Sequence, residues 1–183
     1  VNPAWSGATK MPVSSTADFT VTGGAYLRVK VNGKWATSDD YVSISSVNDT
    51  TKRVTAKKKT GTTTVYLLVN GKQVKSQKVT IFAIHNKKYE FESSVDKNYV
   101  LDIQGGSKKD GAQMIVYKRN GGANQKYQFA LQSDGTYAIR SAIKPDSAKK
   151  WLTVDSKSNK YVQQWSWKGT DAQKWRITVD SYD

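Results

Sequence analysis

Side chains able to do covalent chemistry are scarce in this chain of 183 residues. His85 is the only histidine and cysteine is absent, which removes disulfides, thiolate metal sites and thiol nucleophiles. A nucleophilic triad needs a nucleophile, a base and a group that orients the base. The stretch FAIHNKK around His85 offers no such company, so His85 reads as packing at a junction. Asp39 and Asp40 are adjacent, and neighbours in an extended chain point to opposite faces, which makes them a poor acid–base couple. With Asn48 and Asp49 they could surround a Ca²⁺ ion, but the spaced ligand loop of such sites is missing, and local turn bonding accounts for them. GGSKKDG, residues 105–111, is rich in glycine and lysine, yet no helix follows it to complete a phosphate cradle. These types and spacings point to a binding protein with no catalytic centre, metal or cofactor.

Charge suggests what could be bound. Twenty-nine Lys and Arg stand against 15 Asp and Glu, a net +14, and such a field attracts anionic polymers. The basic residues are spread over turns, as at Lys57–Lys59, Lys87–Lys88, Lys108–Lys109 and Lys149–Lys150. No nucleic-acid motif stands among them, so nucleic acid is not the expected partner. No run of 18 apolar residues forms a membrane span. VNPAWSGATK carries no charged-then-apolar leader and reads as the cut edge of a mature or excised protein.

The elements that must position any site are strands. AYLRVKV (25–31), YVSISSV (41–47), TTTVYLLV (62–69) and QKVTIFAI (77–84) alternate or are rich in β-branched residues. Asn32-Gly33 and Asn70-Gly71 supply hairpin turns. Beyond His85 the strands shorten and recur: YEFES (89–93), YVLDIQ (99–104), QMIVYK (113–118) and KYQFAL (126–131), then TYAIRS (136–141), KWLTVD (150–155), YVQQWSW (161–167) and KWRITV (174–179). Tyr89 and Tyr137, Tyr117 and Trp165, and Gln125 and Gln173 are each 48 positions apart, while Leu101 and Leu152 are 51 apart because the loops IKPDSAKK and SKSNK differ in length. A repeat of this period means a duplicated supersecondary unit, here of four strands.

The first half resembles the group-two bacterial immunoglobulin-like domains. TSDDYVSISSVNDTTKRVTAKKKTGTTTVYLLVNGK, Thr37–Lys72, carries the resemblance, although the tryptophan usual before the Ser/Asp turn is replaced by an early Trp35 and Tyr41. The resemblance implies a β-sandwich spacer or adhesive module over residues 1–84.

The second half resembles the ricin-type β-trefoil lectins, whose repeats end in Gln-x-Trp. Here that motif stands as Gln125-Lys126-Tyr127 and Gln173-Lys174-Trp175, with YVLDIQGGSKKDGAQMIVYKRNGGANQ matching the rest of a repeat. The resemblance implies a lectin domain over 85–183, with repeats at about 88–131 and 136–179. It also implies a carbohydrate site in repeat one: Asp102 as an exposed acceptor for two sugar hydroxyls, Tyr117 as a platform for the sugar ring, Asn124 as a second polar contact, and Gln125 as a brace. Ile115 stands where a Gln is common. In repeat two Thr153 and Ala172 replace the Asp and Asn, leaving Trp165 as platform and Gln163 as amide. Trp165 and Trp167 alternate with Ser166 and should share a face.

The expectation is an all-β protein: an immunoglobulin-like sandwich followed by a trefoil-like domain with two of its three repeats. Its function would be non-catalytic glycan binding at a bacterial cell surface or in secretion. The alternatives are a purely structural module, or a binder of anionic cell-wall polymers. Two repeats leave strand edges open, which a homodimer could close.

Overall fold

The computed structural model describes residues 5–84, 87–143, 149–155, 157 and 161–179; His85 and most of the loops IKPDSAKK and SKSNK lie outside them. The chain is all-β and divides into two units, one running to Ile84 and including the stretch from Ile177 on, the other ending at Arg176. No helix among the described residues is long and apolar enough to cross a membrane.

The first unit is built from β1 (Trp5–Ser6), β2 (Lys10–Pro12), β3 (Thr16–Val21), β4 (Tyr26–Val31), β5 (Lys34–Ala36), β6 (Val42–Ser46), β7 (Thr51–Ala56), β8 (Gly61–Val69) and β9 (Lys72–Phe82). One sheet runs β1-β3-β7-β6 and the other β2-β9-β8-β4-β5. Alternation decides which face is buried: Ala17, Phe19 and Val21 of β3 point inward, as do Leu27 and Val29 of β4. Both Asn-Gly pairs form tight hairpins, with φ of 50° and 77° at Asn32 and Gly33 and 48° and 77° at Asn70 and Gly71. This is the left-handed geometry of a turn whose twist matches its strands.

The Asx residues are turn locks. Asp39 Oδ1 accepts the N–H groups of Tyr41 and Val42, both at 2.8 Å, and its Oδ2 accepts the Thr63 hydroxyl. Asn48 Oδ1 takes the N–H of Thr50 and Thr51, and Asp40 pairs with Lys59 at 2.7 Å.

The second unit holds β10 (Tyr99–Ile103), β11 (Met114–Lys118), β12 (Tyr127–Leu131), β13 (Tyr137–Ser141), β14 (Lys150–Val154) and β15 (Val162–Ser166). β10 and β11 form a hairpin, and β12-β13-β14-β15 form a second sheet. Ile103, Tyr127, Ile139 and Leu152 make the core, with Phe91, Leu101, Met114, Phe129 and Trp175 packed around it. Burying each such side chain contributes roughly 1.5–3 kcal/mol. The two repeats are clasped together: Gln164 Nε2 donates to the carbonyls of Ser107 (2.6 Å) and Lys109 (3.0 Å), and Asp110 accepts the Ser166 N–H (2.7 Å) and pairs with Lys150 (2.6 Å).

Two expected strands differ. The segment 89–93 forms only isolated bridges, Tyr89 to Tyr127 and Glu92 to Val100, because it changes neighbour too quickly to build a ladder. The segment 174–179 splits. Trp175 bridges Tyr137, whereas Thr178–Val179 form β16, parallel to β3 in the first unit.

Candidate functional site

Alternation along β10 turns Leu101 and Ile103 toward the core and Asp102 to the opposite face. On β11, Ile115 lies directly across from Asp102, and Tyr117, two residues on, shares its face. A 3₁₀ turn at Ala123–Gln125 brings Asn124 and Gln125 over the same spot. A second, Gln104–Gly106, forms the opposite wall. There Gly105 and Gly106 have φ of 65° and 59°, and no heavy atom lies within 4 Å of where their side chains would begin. The result is an open pocket of about 510 Å³ lined by Asp102, Ile115, Tyr117, Asn120 and Asn124 with that glycine turn.

Asp102 differs from the exposed acceptor expected of it: it is only 3% exposed. Its Oδ2 accepts Asn124 Nδ2 at 2.8 Å and Gln125 Nε2 at 2.9 Å. Among the described residues no buried side-chain oxygen or nitrogen lacks a partner and no donor is bonded to Oδ1. That oxygen therefore has solvent contact, and it can accept a ligand hydroxyl. Tyr117 is 55% exposed. Nearby, burial and then the Asp102 charge push the Tyr127 phenol well above its ordinary pKa.

Gln125 is fully buried and does not line the pocket, so it makes no ligand contact. Its Nε2 also donates to the Lys118 carbonyl at 2.9 Å, and its Oε1 accepts the N–H groups of Asn120 and Gly121 at 2.8 and 3.2 Å. One side chain thus ties β10, β11 and the intervening turn together.

Gln173 repeats the arrangement. Its Nε2 donates to Thr153 Oγ1 (3.1 Å) and the Ser166 carbonyl (2.9 Å), and its Oε1 accepts the N–H groups of Lys168 (2.7 Å) and Gly169 (3.2 Å). A second pocket forms around Thr153, Asp155, Tyr161, Gln163, Trp165 and Lys168. Trp165 is half-buried and carries the Lys168 ammonium 5.4 Å from its ring centroid, while Trp167 is exposed and packs on Trp151 at 4.9 Å. Sequence reasoning missed Asn120 and Lys168. Their signal was present, since both stand five residues before a repeat glutamine.

Residues 87–183 match the family described as the ricin-type beta-trefoil lectin domain. Flavastacin of Elizabethkingia meningoseptica is 38% identical over 85 residues, 45% of this chain but 18% of that protein. Among solved structures, the designed 3-fold symmetric protein ThreeFoil is 24% identical at a TM-score of 0.44, covering 84% of this chain and 97% of its own. An exo-beta-1,3-galactanase from Clostridium thermocellum is 18% identical at 0.44, covering 94% of this chain and 44% of its own. More than half of the sequence lies in the matched stretch, and the chain belongs to the ricin-type beta-trefoil lectin domain family.

Proposed function

We propose that this chain is a non-catalytic glycan-binding module of a secreted or cell-surface bacterial protein. The first unit, residues 1–84, would serve as its immunoglobulin-like spacer, and the lectin domain would span 85–183. The observation that carries the reading is the open Asp102 Oδ1 beside the exposed Tyr117 ring and the Asn124 amide. A carboxylate oxygen accepts a sugar hydroxyl, and an aromatic face covers the apolar side of a pyranose. So shallow a site holds one sugar weakly, with Kd on the order of tens of µM to mM.

A glycan array at low and high salt tests the proposal. Hits that persist at high salt support sugar recognition. Hits that vanish with salt favour anionic cell-wall polymers drawn by the +14 charge. A blank array with a folded sample sinks both. Within the site, Tyr117→Ala should weaken binding by roughly 1–2 kcal/mol and leave the melting temperature unchanged, because Tyr117 supports no core contact.

The same reading has a second copy covering the flank of repeat one. Gln164 is fully buried beneath the loop of the preceding repeat, whereas Val116, at the equivalent position 48 residues earlier, is 60% exposed. Sedimentation velocity is expected to show a dimer that Val116→Lys disperses; a monomer at all concentrations rejects this assembly.

A further inference from the structure

The two pockets share a frame and carry opposite charge. In the first, Asp102 is the only charged residue among the described lining residues. The glutamine bonds fix which positions correspond: Asn120 and Lys168 each give their backbone N–H to the glutamine Oε1, and Asp102 and Thr153 each accept from its Nε2. Asp becomes Thr and Asn becomes Lys, so each exchange moves the second pocket one unit toward positive.

One exchange runs the other way, Gln104 to Asp155. Asp155 is 7% exposed, accepts the Lys157 N–H at 3.4 Å, and stays in the lining as the pocket's one negative charge. The charged residues lining the second pocket are Asp155, Lys157 and Lys168, one positive charge in balance against one negative in the first. The Thr153 hydroxyl already donates to the Trp151 carbonyl at 2.8 Å while accepting from Gln173. It cannot replace a carboxylate in gripping a sugar diol. What remains is an aromatic ring with an ammonium over it, 5.4 Å from the ring centroid, that no carboxylate pairs among the described residues.

We infer that the second pocket is a site for an acidic sugar, a uronate or a sulfated residue, with its ring on Trp165 and its anionic group on the Lys168 ammonium. A charge-assisted contact with an exposed ammonium replaces the diol grip of the first pocket. The inference rests on the lectin reading of this unit, and the test separates the two.

The full chain, its Lys168→Gln variant and its Tyr117→Ala variant are titrated by NMR with a methyl uronide and with the matching neutral methyl glycoside. Both substituted side chains are exposed or half-exposed, so all three proteins fold. Lys168→Gln should weaken the uronide at least about tenfold and leave the neutral glycoside untouched. Tyr117→Ala should do the reverse. Raising salt from roughly 0.05 to 0.5 M should weaken only the uronide. If the neutral glycoside binds and the uronide does not, or if Lys168→Gln leaves the uronide unchanged, the inference is overturned and the lectin reading stands. If neither sugar binds the folded chain, both fall.

Discussion

Asp102→Ala is expected to reduce binding of neutral glycans at the first pocket at least about a hundredfold, since the only charged acceptor of the site is removed. The substitution also withdraws Oδ2 from Asn124 and Gln125. Asn124 lies at the pocket surface and can turn to water, and Gln125 Nε2 keeps the Lys118 carbonyl at 2.9 Å. The fold should survive with a loss of about 1–2 kcal/mol. Titration of the folded variant with an array-identified glycan, beside a urea melt, separates the two effects. Unchanged affinity would remove Asp102 from the site.

Gln125→Ala should have the larger structural effect. Truncation removes four hydrogen bonds and leaves the part-buried Lys118 carbonyl and the Asn120 and Gly121 N–H groups without the partner that organised them. At about 0.5–1.5 kcal/mol per lost hydrogen bond, with water reaching the part-buried backbone groups, the expected destabilisation is about 2–4 kcal/mol. Binding should be lost with it, because Asp102, Tyr117 and Asn124 depend on the turn that Gln125 pins. Gln125→Glu, which keeps shape and acceptors but sets a second carboxylate beside Asp102, should fall between alanine and the native residue. A urea midpoint for Gln125→Ala within error of the native protein would refute the bracing role.

Parts of this molecule were legible because a local rule forced them. The Asn-Gly pairs need φ above zero at both residues, and both hairpins form where they stand. Spacing revealed the paired glutamines, and alternation set Asp102 on the face opposite Leu101 and Ile103. How far Asp102 was covered could not be read, since Asn124 and Gln125 reach it across more than twenty positions through a 3₁₀ turn. The strand β3 escaped notice although Thr16, Asp18 and Thr20 alternate with Ala17, Phe19 and Val21, because Ala and Asp dilute its β-propensity. KWRITV shows the limit most plainly. A period of two tells which face each residue takes, but it does not name the neighbouring strand. Trp175 joins Tyr137, and Thr178–Val179 join β3.

The clasp made by Gln164, Ser166 and Asp110 holds the two pockets of the second unit in one rigid frame. Once a polysaccharide occupies the first pocket, a sugar farther along the same chain meets the second at an effective concentration set by the polymer's own stiffness. That concentration reaches the millimolar range for short flexible spans and falls to nothing when the span is mismatched. Two sites too weak to retain a monosaccharide can then retain a polymer whose residues recur at the right interval. If both pockets bind as proposed, the clasp turns two feeble contacts into a ruler for glycan periodicity.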